Sequence, residues 1–329
     1  MKYRRFGRTG LQVSEIGFGC SRLGGVFAQG NSRQENLRAL RSAMDAGINF
    51  FDTADMYAQG EAESLLGEAF RGRRDQVILA TKGGYCLPAQ RRWVARIKPL
   101  VRPIVRALGL RRDRLPAGVS GALSQDFSPG YLRVAVEGSL RRLRTDCIDL
   151  YQLHSPPASV IESGEFVGVM EDLKRQGKIR FWGIAADTAQ DAALALQYPQ
   201  VASLQIPFGL LDLEALDLLL RRVGSEGPAI IARGCFGGGL LKEDLTAEQL
   251  QAMTGKWERI LAYRQLARER GRSVLEMALQ FVLRAPGVSV TLLGMRTEAH
   301  LADNLRYYAA PALSAEEFAQ IEGAQVAAR

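Results

Sequence analysis

Three charged or titratable side chains each end a short apolar run in the first half of the chain. They are Asp52, Lys82 and His154, and His154 is one of only two histidines in the sequence. Tyr57 follows Asp52 by five residues. A short apolar run of this kind is consistent with a buried strand, and a buried carboxylate needs a cation or several hydrogen bonds. We therefore expect Asp52 and Lys82 to pair at neighbouring strand ends.

A tyrosine beside such a pair is suited to proton transfer. The pKa of a free phenol is about 10, which is too high for ready proton exchange at neutral pH. A nearby ammonium favours the phenolate and lowers that pKa. Asp52 would hold Lys82 charged and aimed, and His154 would orient a substrate oxygen against the Tyr57 hydroxyl. Each residue alone is more often structural, but four of them at successive strand ends favour a catalytic site.

The segments that carry these residues alternate between strand and helix patterns. Apolar runs predict eight strands, at 13–18, 48–51, 77–82, 147–154, 179–185, 201–206, 228–233 and 288–293. Helical periods predict helices at 33–46, 62–70, 129–143, 161–175, 213–222, 257–269, 273–284 and 298–307, and a capped final helix opening at Ser314. Residues 3–14 predict a hairpin. The alternation predicts a parallel β/α barrel, in which the carboxyl ends of the strands form one face.

The residues at these strand ends also resemble a known family. Phe-Asp-Thr-Ala at 51–54 with Tyr57, Ala-Thr-Lys at 80–82 and Asp-Leu-Tyr-Gln-Leu-His at 149–154 resemble the catalytic tetrad of the aldo-keto reductase superfamily. Residues 7–14, 139–146 and 177–180 resemble the hairpin and the runs into the fourth and fifth strands of that family. The resemblance spans nearly the whole chain. It implies a single (β/α)8 TIM barrel domain over 1–329 and NAD(P)H-dependent reduction of an aldehyde or ketone, or the reverse alcohol oxidation.

Two segments late in the chain are suited to hold phosphates. Residues 234–239 are rich in glycine, so their backbone amides are accessible to an anion, and residues 294–297 precede a predicted helix whose N-terminus favours anions. By the resemblance, Gln205 binds the nicotinamide carboxamide, Phe208 stacks on the ring, and Arg296 with Asn304 meets the adenosine ribose and its 2′-phosphate, which favours NADPH over NADH. The predicted cofactor-binding residues are Gln205, Phe208, Gly234, Phe236, Gly239, Leu240, Gly294, Arg296, Thr297, His300 and Asn304.

The fifth predicted strand departs from the family pattern. The family often has serine and asparagine there, on the carboxamide, whereas this chain has Ala185 and Ala186, followed by Asp187. Asp187 is a candidate to replace one of the two lost polar groups. The departure keeps an alternative function open, in which the barrel binds NADP(H) in a redox-sensing or regulatory role and turns over slowly. Steady-state turnover with a panel of carbonyl compounds separates the two functions.

A long basic segment, residues 85–124, interrupts the alternation after the third strand. It contains nine Lys and Arg residues and one acid, a net charge of +8 that equals the charge of the whole chain. The basicity of the protein therefore gives no indication of nucleic-acid binding. Three interpretations stay open: a solvated lid on the barrel, an electrostatic clamp for an anionic substrate or the cofactor phosphates, and a basic amphipathic segment at a membrane surface or an acidic partner.

Composition limits the remaining possibilities. The chain has 329 residues, of which 47% are hydrophobic and 24% charged, and this is typical of a globular protein with a sizeable core. No apolar run approaches the ~18 residues of a membrane span, and the basic start has no apolar stretch behind it, as a secretory signal would. The four scattered cysteines predict reduced thiols, a cytoplasmic protein and no metal site. The expected partner is a small carbonyl or alcohol substrate.

Overall fold

Eight parallel strands close into a barrel. The computed structural model describes residues 1–24, 32–86, 124–224 and 226–323. The strands of the structure are β1 Tyr3–Arg5, β2 Gln12–Ser14, β3 Ile16–Gly19, β4 Phe50–Asp52, β5 Ile78–Gly83, β6 Tyr85–Cys86, β7 Ser124–Gln125, β8 Ile148–His154, β9 Ile179–Ala185, β10 Ser203–Pro207, β11 Ala229–Arg233 and β12 Val288–Gly294. Around the barrel the order is β3, β4, β5, β8, β9, β10, β11 and β12, so barrel strands that are consecutive in the sequence are also neighbours in space. The predicted (β/α)8 barrel is confirmed.

Helices connect the strands and lie outside the barrel. Several begin at a capping residue visible in the sequence: Ser32 and Ser273 form capping boxes, and Ser128 caps a helix whose first residue is a proline. The α-helices are α1 Arg33–Asp45, α2 Glu61–Ala69, α3 Pro129–Leu143, α4 Ala158–Ser163, α5 Phe166–Arg175, α6 Ala189–Leu194, α7 Ala247–Met253, α8 Trp257–Glu269, α9 Val274–Arg284, α10 Glu298–Ala309 and α11 Ala315–Gly323.

The N-terminal hairpin is present with its predicted bounds, whereas the first barrel strand begins later than expected, at Ile16. β1 and β2 pair in antiparallel fashion, and Gly10 takes the left-handed conformation that the turn requires. Val13 was expected to begin the first barrel strand, but it pairs with Arg4 in the hairpin instead. Glu15 lies between the two strands and binds Arg4 with its carboxylate at 2.7 Å. Residues 13–18 therefore belong to two strands where one was predicted.

Some predicted helices differ from those observed. The helix expected at 161–175 is divided into α4 and α5, because Gly164 between them has a left-handed φ of 67°. The helix expected at 213–222 is a short π-helical turn, Leu216–Leu220. Two helices, α6 and α7, had no prediction. Both have fewer than eight residues, which is too few for a clear helical period.

Aromatic packing anchors the strand that ends at Asp52. Phe50 and Phe51 are fully buried, and the Phe51 ring lies 5.7 Å from the ring of Phe18 and 4.5 Å from that of Phe70. Buried aromatic pairs of this kind add roughly 0.5–1.5 kcal/mol beyond the area that they bury. The core therefore fixes the position and direction of β4 up to its last residue.

Internal contacts divide the chain into two compact units. The first contains Met1–Gly17, Ala186–Leu293 and the residues from Ala299 onward, and the second contains Phe18–Ala185 and Gly294–Glu298. The single domain over 1–329 therefore stays a prediction. Within the described ranges, no helix has both the length and the apolar character needed to cross a membrane.

The two ends of the basic segment expected at 85–124 pair with each other as short antiparallel strands, named here the β6–β7 hairpin. Tyr85 pairs with Gln125 and Cys86 pairs with Ser124, which makes β6 and β7 the two sides of the hairpin. Residues 87–123 lie outside the described residues. The three interpretations of the basic segment concern those residues and stay open.

Candidate active site

The structure brings Asp52 and Lys82 into a buried ion pair. Asp52 is the last residue of β4, and Lys82 lies one residue before the end of β5, the next strand of the barrel. The Nζ of Lys82 lies 2.6 Å from Oδ2 of Asp52 and donates a second hydrogen bond, of 2.9 Å, to the carbonyl of Thr53. The side chains are only 2% and 5% exposed for Lys82 and Asp52. Solvent therefore screens this pair weakly.

Tyr57 and His154 complete the group. Nζ of Lys82 lies 5.2 Å from the centroid of the Tyr57 ring. The rings of Tyr57 and His154 meet edge to face, with 5.7 Å between centroids and an interplanar angle of 84°. His154 is the last residue of β8, so the strand ends deliver three members of the group and the turn after β4 delivers Tyr57. All four belong to the second compact unit. The sequence-predicted tetrad is thus assembled in space.

The charge on Lys82 is stabilised by its surroundings. Burial by itself opposes the ammonium, but the carboxylate of Asp52, with Tyr57 and Cys20, outweighs burial and raises the pKa of Lys82. Gln152 Nε2 donates to the other carboxylate oxygen of Asp52 at 3.2 Å. Lys82 is therefore a fixed positive charge beside the phenol ring, and such a charge favours the phenolate.

Left-handed backbone follows both aromatic members of the group. Ala58 and Gln59, directly after Tyr57, have φ values of 49° and 61°, and Ser155, directly after His154, has a φ of 50°. For residues other than glycine, this conformation costs roughly 1–2 kcal/mol each. Such strain clusters at functional sites, where the surrounding structure holds it in place. The sharp turns direct Tyr57 and His154 toward each other.

Two glutamines that support the site were not among the predicted residues. Gln152 lies two residues before His154 on β8, and strand alternation, which places such residues on the same face, was a signal that pointed to it. Gln125, in β7, donates to the carbonyls of His154 and Ser155 at 3.2 and 2.8 Å. Nothing near Gln125 in the sequence predicted this contact. The Tyr85 ring meets the His154 ring edge to face at 4.9 Å, so the β6–β7 hairpin rests against the histidine.

Within the first unit, the glycine-rich loop fits a phosphate cradle. Gly234, Gly238 and Gly239 follow β11 and have φ values of 78°, 67° and 105°. A Cβ placed on any of the three would meet no described atom within 4 Å, so the space beside these glycines is open, while the amide of Gly239 donates to the carbonyl of Phe236 at 3.0 Å. Further along, Nδ2 of Asn304 in α10 is buried and has no hydrogen-bond partner among the described residues. These groups fit an anionic ligand that accepts hydrogen bonds.

Other predicted cofactor residues are placed as follows. Gln205 is buried in β10. The Phe208 ring is fully buried and packs against Phe281, with 5.8 Å between centroids. This burial does not favour the predicted stacking of Phe208 on a nicotinamide, which stays a prediction. Phe236 and Leu240 flank the glycines, and the Phe236 ring meets the Tyr307 ring edge to face. Gly294 ends β12, Arg296 and Thr297 precede α10, and His300 lies in α10.

Asp187 is held by an arginine that was not a predicted site residue. Arg233, at the end of β11, binds the Asp187 carboxylate at 2.8 Å and the carbonyl of Ala186 at 3.0 Å. Ala185 and Ala186 are buried and contribute no polar side-chain atom. Asp187 therefore has a structural partner already, and its replacement of a lost carboxamide contact stays a prediction.

Comparisons with known proteins agree with the barrel fold. The model of the aldo/keto reductase family matches residues 15–325. The chain is 30% identical to an uncharacterized oxidoreductase of Bacillus subtilis, YqkF, with 98% of this chain and 96% of the relative covered. It is 28% identical to a 6-dehydroglucose reductase of Novosphingobium aromaticivorans, with 92% and 88% covered. Its structure is similar to the holo form of an aldo-keto reductase, AKR11C1 of Bacillus halodurans, with a TM-score of 0.76, 29% identity and 98% and 96% covered.

Proposed function

We propose that this chain, which belongs to the aldo/keto reductase family, is an NADPH-dependent oxidoreductase that reduces an aldehyde or ketone to an alcohol, or catalyses the reverse reaction. The observation that carries the proposal is the buried Lys82–Asp52 pair beside Tyr57, with His154 against the phenol ring. A positive charge held next to a phenol has a clear chemical use in proton transfer.

Tyr57 acts in this proposal as the general acid for reduction. Its hydroxyl gives a proton to the carbonyl oxygen of the substrate, while His154 orients that oxygen. An ammonium near a phenol favours its ionised form and so eases proton transfer. Lys82, whose Nζ lies 5.2 Å from the centre of the Tyr57 ring, is placed to act in this way, and Asp52 keeps it charged and in place. The nicotinamide supplies the hydride when the cofactor is bound.

The residues proposed to hold NADPH are the glycine-rich loop that begins at Gly234, with Gln205 and Asn304, all in the first unit. Arg296, which precedes α10, stays the predicted contact of the 2′-phosphate. Glycine amides and a helix start favour phosphate groups, and an arginine favours the 2′-phosphate that distinguishes NADPH from NADH. The holo form of the similar Bacillus halodurans reductase supports a bound cofactor. An Arg296→Ala variant that binds both dinucleotides as the parent does would argue against the preference for NADPH.

Tyr57→Phe tests the proposed function directly. The variant lacks the transferable proton but keeps the ring that packs against His154. Loss of a general acid lowers turnover by about 10²–10⁴-fold, whereas NADPH affinity, measured by fluorescence titration, should stay close to that of the parent. Tyr3→Phe is the matched control, because Tyr3 is 50% exposed on the hairpin. Near-normal turnover of a carbonyl panel by Tyr57→Phe would rule out the assignment.

The replaced polar pair of β9 favours a second candidate function. Ala185 and Ala186 provide no side-chain partner for a carboxamide, and Asp187 binds Arg233. A weakly fixed nicotinamide suits a protein that binds NADP(H) and reports its redox state with slow turnover. Tight NADPH binding with a single slow turnover would favour this alternative. Repeated turnover of any carbonyl compound at ordinary enzymatic rates would exclude it.

A further inference from the structure

A second group of polar side chains, two buried and two part-buried, lies beside the tetrad and has no role in the proposed chemistry. It consists of Asp55, Glu63, Arg142 and Tyr151, named here the Asp55 cluster. Glu63 is fully buried and accepts hydrogen bonds from Thr81 Oγ1 at 2.7 Å and from Arg142 Nε at 2.5 Å. By contrast, Oδ1 of Asp55 and the hydroxyl of Tyr151 are buried without a hydrogen-bond partner in the part of the chain that the structure describes.

Unpartnered buried polar atoms are costly, so these two need an explanation. Leaving a donor or acceptor unsatisfied costs roughly 1–3 kcal/mol, and more when the group is charged. A carboxylic acid that keeps its proton avoids the larger of these costs, because it is neutral. The arrangement therefore fits an Asp55 that is protonated when the site is in its described geometry.

The Asp55 cluster contacts the strand that carries Lys82 and includes a residue of the turn that carries Tyr57. The backbone N–H of Asp55 donates to the carbonyl of Lys82 at 3.0 Å, and Tyr57 follows Asp55 by two residues. Tyr151 crowds Gly83, the residue after Lys82, and Asp55 lies at contact distance from it: a Cβ built there would lie 2.0 Å from the Tyr151 hydroxyl and 3.4 Å from Oδ2 of Asp55. The carboxyl thus sits where the turn that carries Tyr57 meets the strand that carries Lys82.

We propose that Asp55 is a positioning residue: while its carboxyl is neutral, its backbone N–H holds the turn bearing Tyr57 against the carbonyl of Lys82 on the neighbouring strand. This inference rests on the proposed function, because it assigns Asp55 a role through Tyr57 and not through contact with a substrate. When Asp55 is neutral, the turn packs as described. When Asp55 ionises, its charge lies near the buried carboxylate of Glu63, and the repulsion loosens the turn and displaces the Tyr57 hydroxyl.

The charges around Asp55 set the pH at which this change occurs. Burial first, and then the carboxylate of Glu63 from α2, raise the pKa of Asp55 to about 7, while Arg142 from α3, the backbone amide of Met56 and Lys82 from β5 act in the opposite direction. Two phenols also face the carboxyl, Tyr131 from α3 and Tyr151 from β8, and burial together with Asp55 raises the pKa of both. Neither phenol ionises in the range where Asp55 does.

The pH dependence of turnover tests the proposal. Because a displacement of about 1 Å at a reacting group costs on the order of a hundred-fold in rate, we expect kcat for carbonyl reduction to fall about ten-fold or more as the pH passes through about 7. Asp55→Asn removes the Asp55 ionisation, so its profile should lose the fall near pH 7 and keep only the fall that ionisation of the general acid Tyr57 produces, whatever its absolute rate. Asp45→Asn is the matched control, since Asp45 is 60% exposed and should leave the step in place.

Glu63→Gln provides a second variant with a directional outcome. It removes the charge that raises the pKa of Asp55 and leaves Arg142, which lowers it, so the step in kcat should move to lower pH. This outcome does not depend on whether Asp55→Asn folds. A Glu63→Gln profile that coincides with the parent profile would overturn the proposal, as would an Asp55→Asn profile that keeps the parent's step.

Thermal stability gives a readout that is independent of activity. The unfolded chain ionises Asp55 near pH 3.8, whereas the folded chain keeps the proton until about 7. Stability of the parent should therefore fall as the pH rises through that window, and the melting temperature of Asp55→Asn relative to the parent should rise over the same window. A flat difference would count against the ionisation. If Tyr57→Phe were active, the proposed function would fail while this comparison still reported on Asp55 itself.

Discussion

Replacing Lys82 by methionine is the sharpest test of the central ion pair. Methionine keeps an unbranched apolar side chain of similar length but removes the ammonium. Asp52 would then remain buried with Gln152 Nε2 at 3.2 Å as its side-chain partner. The pair itself is short, at 2.6 Å, and its side chains are almost wholly removed from solvent. The variant therefore leaves a carboxylate in a site that was built for two opposite charges.

The expected loss follows from burial. Removing one partner of a buried pair costs roughly 3–5 kcal/mol, because the other charge is left uncompensated. The pair Arg133–Asp172 is the matched control: its N···O distance is 2.7 Å, but its side chains are 44% and 31% exposed. Breaking such an exposed pair costs ~0–1 kcal/mol. Arg133→Met should therefore change the free energy of unfolding far less than Lys82→Met does.

A double variant separates charge from packing. Lys82→Met combined with Asp52→Asn removes both charges, and replacing a buried pair as a unit is often close to neutral. We expect the double variant to recover at least ~2 kcal/mol of the loss caused by Lys82→Met alone. Urea unfolding, followed by tryptophan fluorescence from the buried Trp182 and by circular dichroism, measures each free energy and tests for a two-state transition.

Two results would refute this reasoning. The first is a Lys82→Met variant that is no less stable than Arg133→Met. The second is a double variant that is less stable than Lys82→Met, since this would mean that packing, and not the uncompensated charge, determines the loss. Either result would also weaken the argument that Lys82 is a fixed charge beside the phenol.

Two further substitutions test the backbone around the site. Ala58, at a φ of 49°, should be replaceable by glycine with a gain: relief of ~1–2 kcal/mol of left-handed strain exceeds the ~0.4–1 kcal/mol that glycine costs through the unfolded chain. Urea unfolding of Ala58→Gly measures this, and a net loss would show that the strain is absent. Gly83→Ala should destabilise by roughly 1–3 kcal/mol, because its Cβ would lie 2.0 Å from the Tyr151 hydroxyl. Adding Tyr151→Phe should restore part of that loss, since Cζ is the next atom at 3.0 Å, and simple additivity would contradict the proposed clash.

The tetrad was predictable because each member interrupts a strong local pattern. Asp52, Lys82 and His154 are polar residues at the ends of apolar strands, and parallel strands bring such ends to one face. Their pairing follows from the cost of burying one charge alone. Tyr57 could be placed with them because it follows Asp52 by only five residues in the sequence. In this part of the chain, local pattern and tertiary position agree, so the sequence was sufficient to predict that these residues meet, while their catalytic role stays a prediction.

The supporting residues were less accessible because their roles depend on contacts between distant segments. Asp55 reads as an ordinary loop residue until Glu63, Arg142 and Tyr151 converge on it. Arg233 reads as the exposed end of a strand until its bond with Asp187 is seen. Short elements such as α6 also escaped prediction, because six residues do not complete two helical turns. The period of apolar residues shows which face of a single helix or strand is buried. It cannot predict the contacts of Asp55 and Arg233, because these form between different elements.

The β6–β7 hairpin limits the entropic cost of changing the length of the chain between its two strands. It holds the two chain ends that flank residues 87–123 at the spacing of paired strands, about 5 Å. Ends fixed at that spacing can be joined by connections of very different length, because each doubling of a loop adds only ~0.6 kcal/mol of closure entropy. The pairing of β6 with β7 therefore makes a change in the length of the connection between Cys86 and Ser124 cheap in closure entropy.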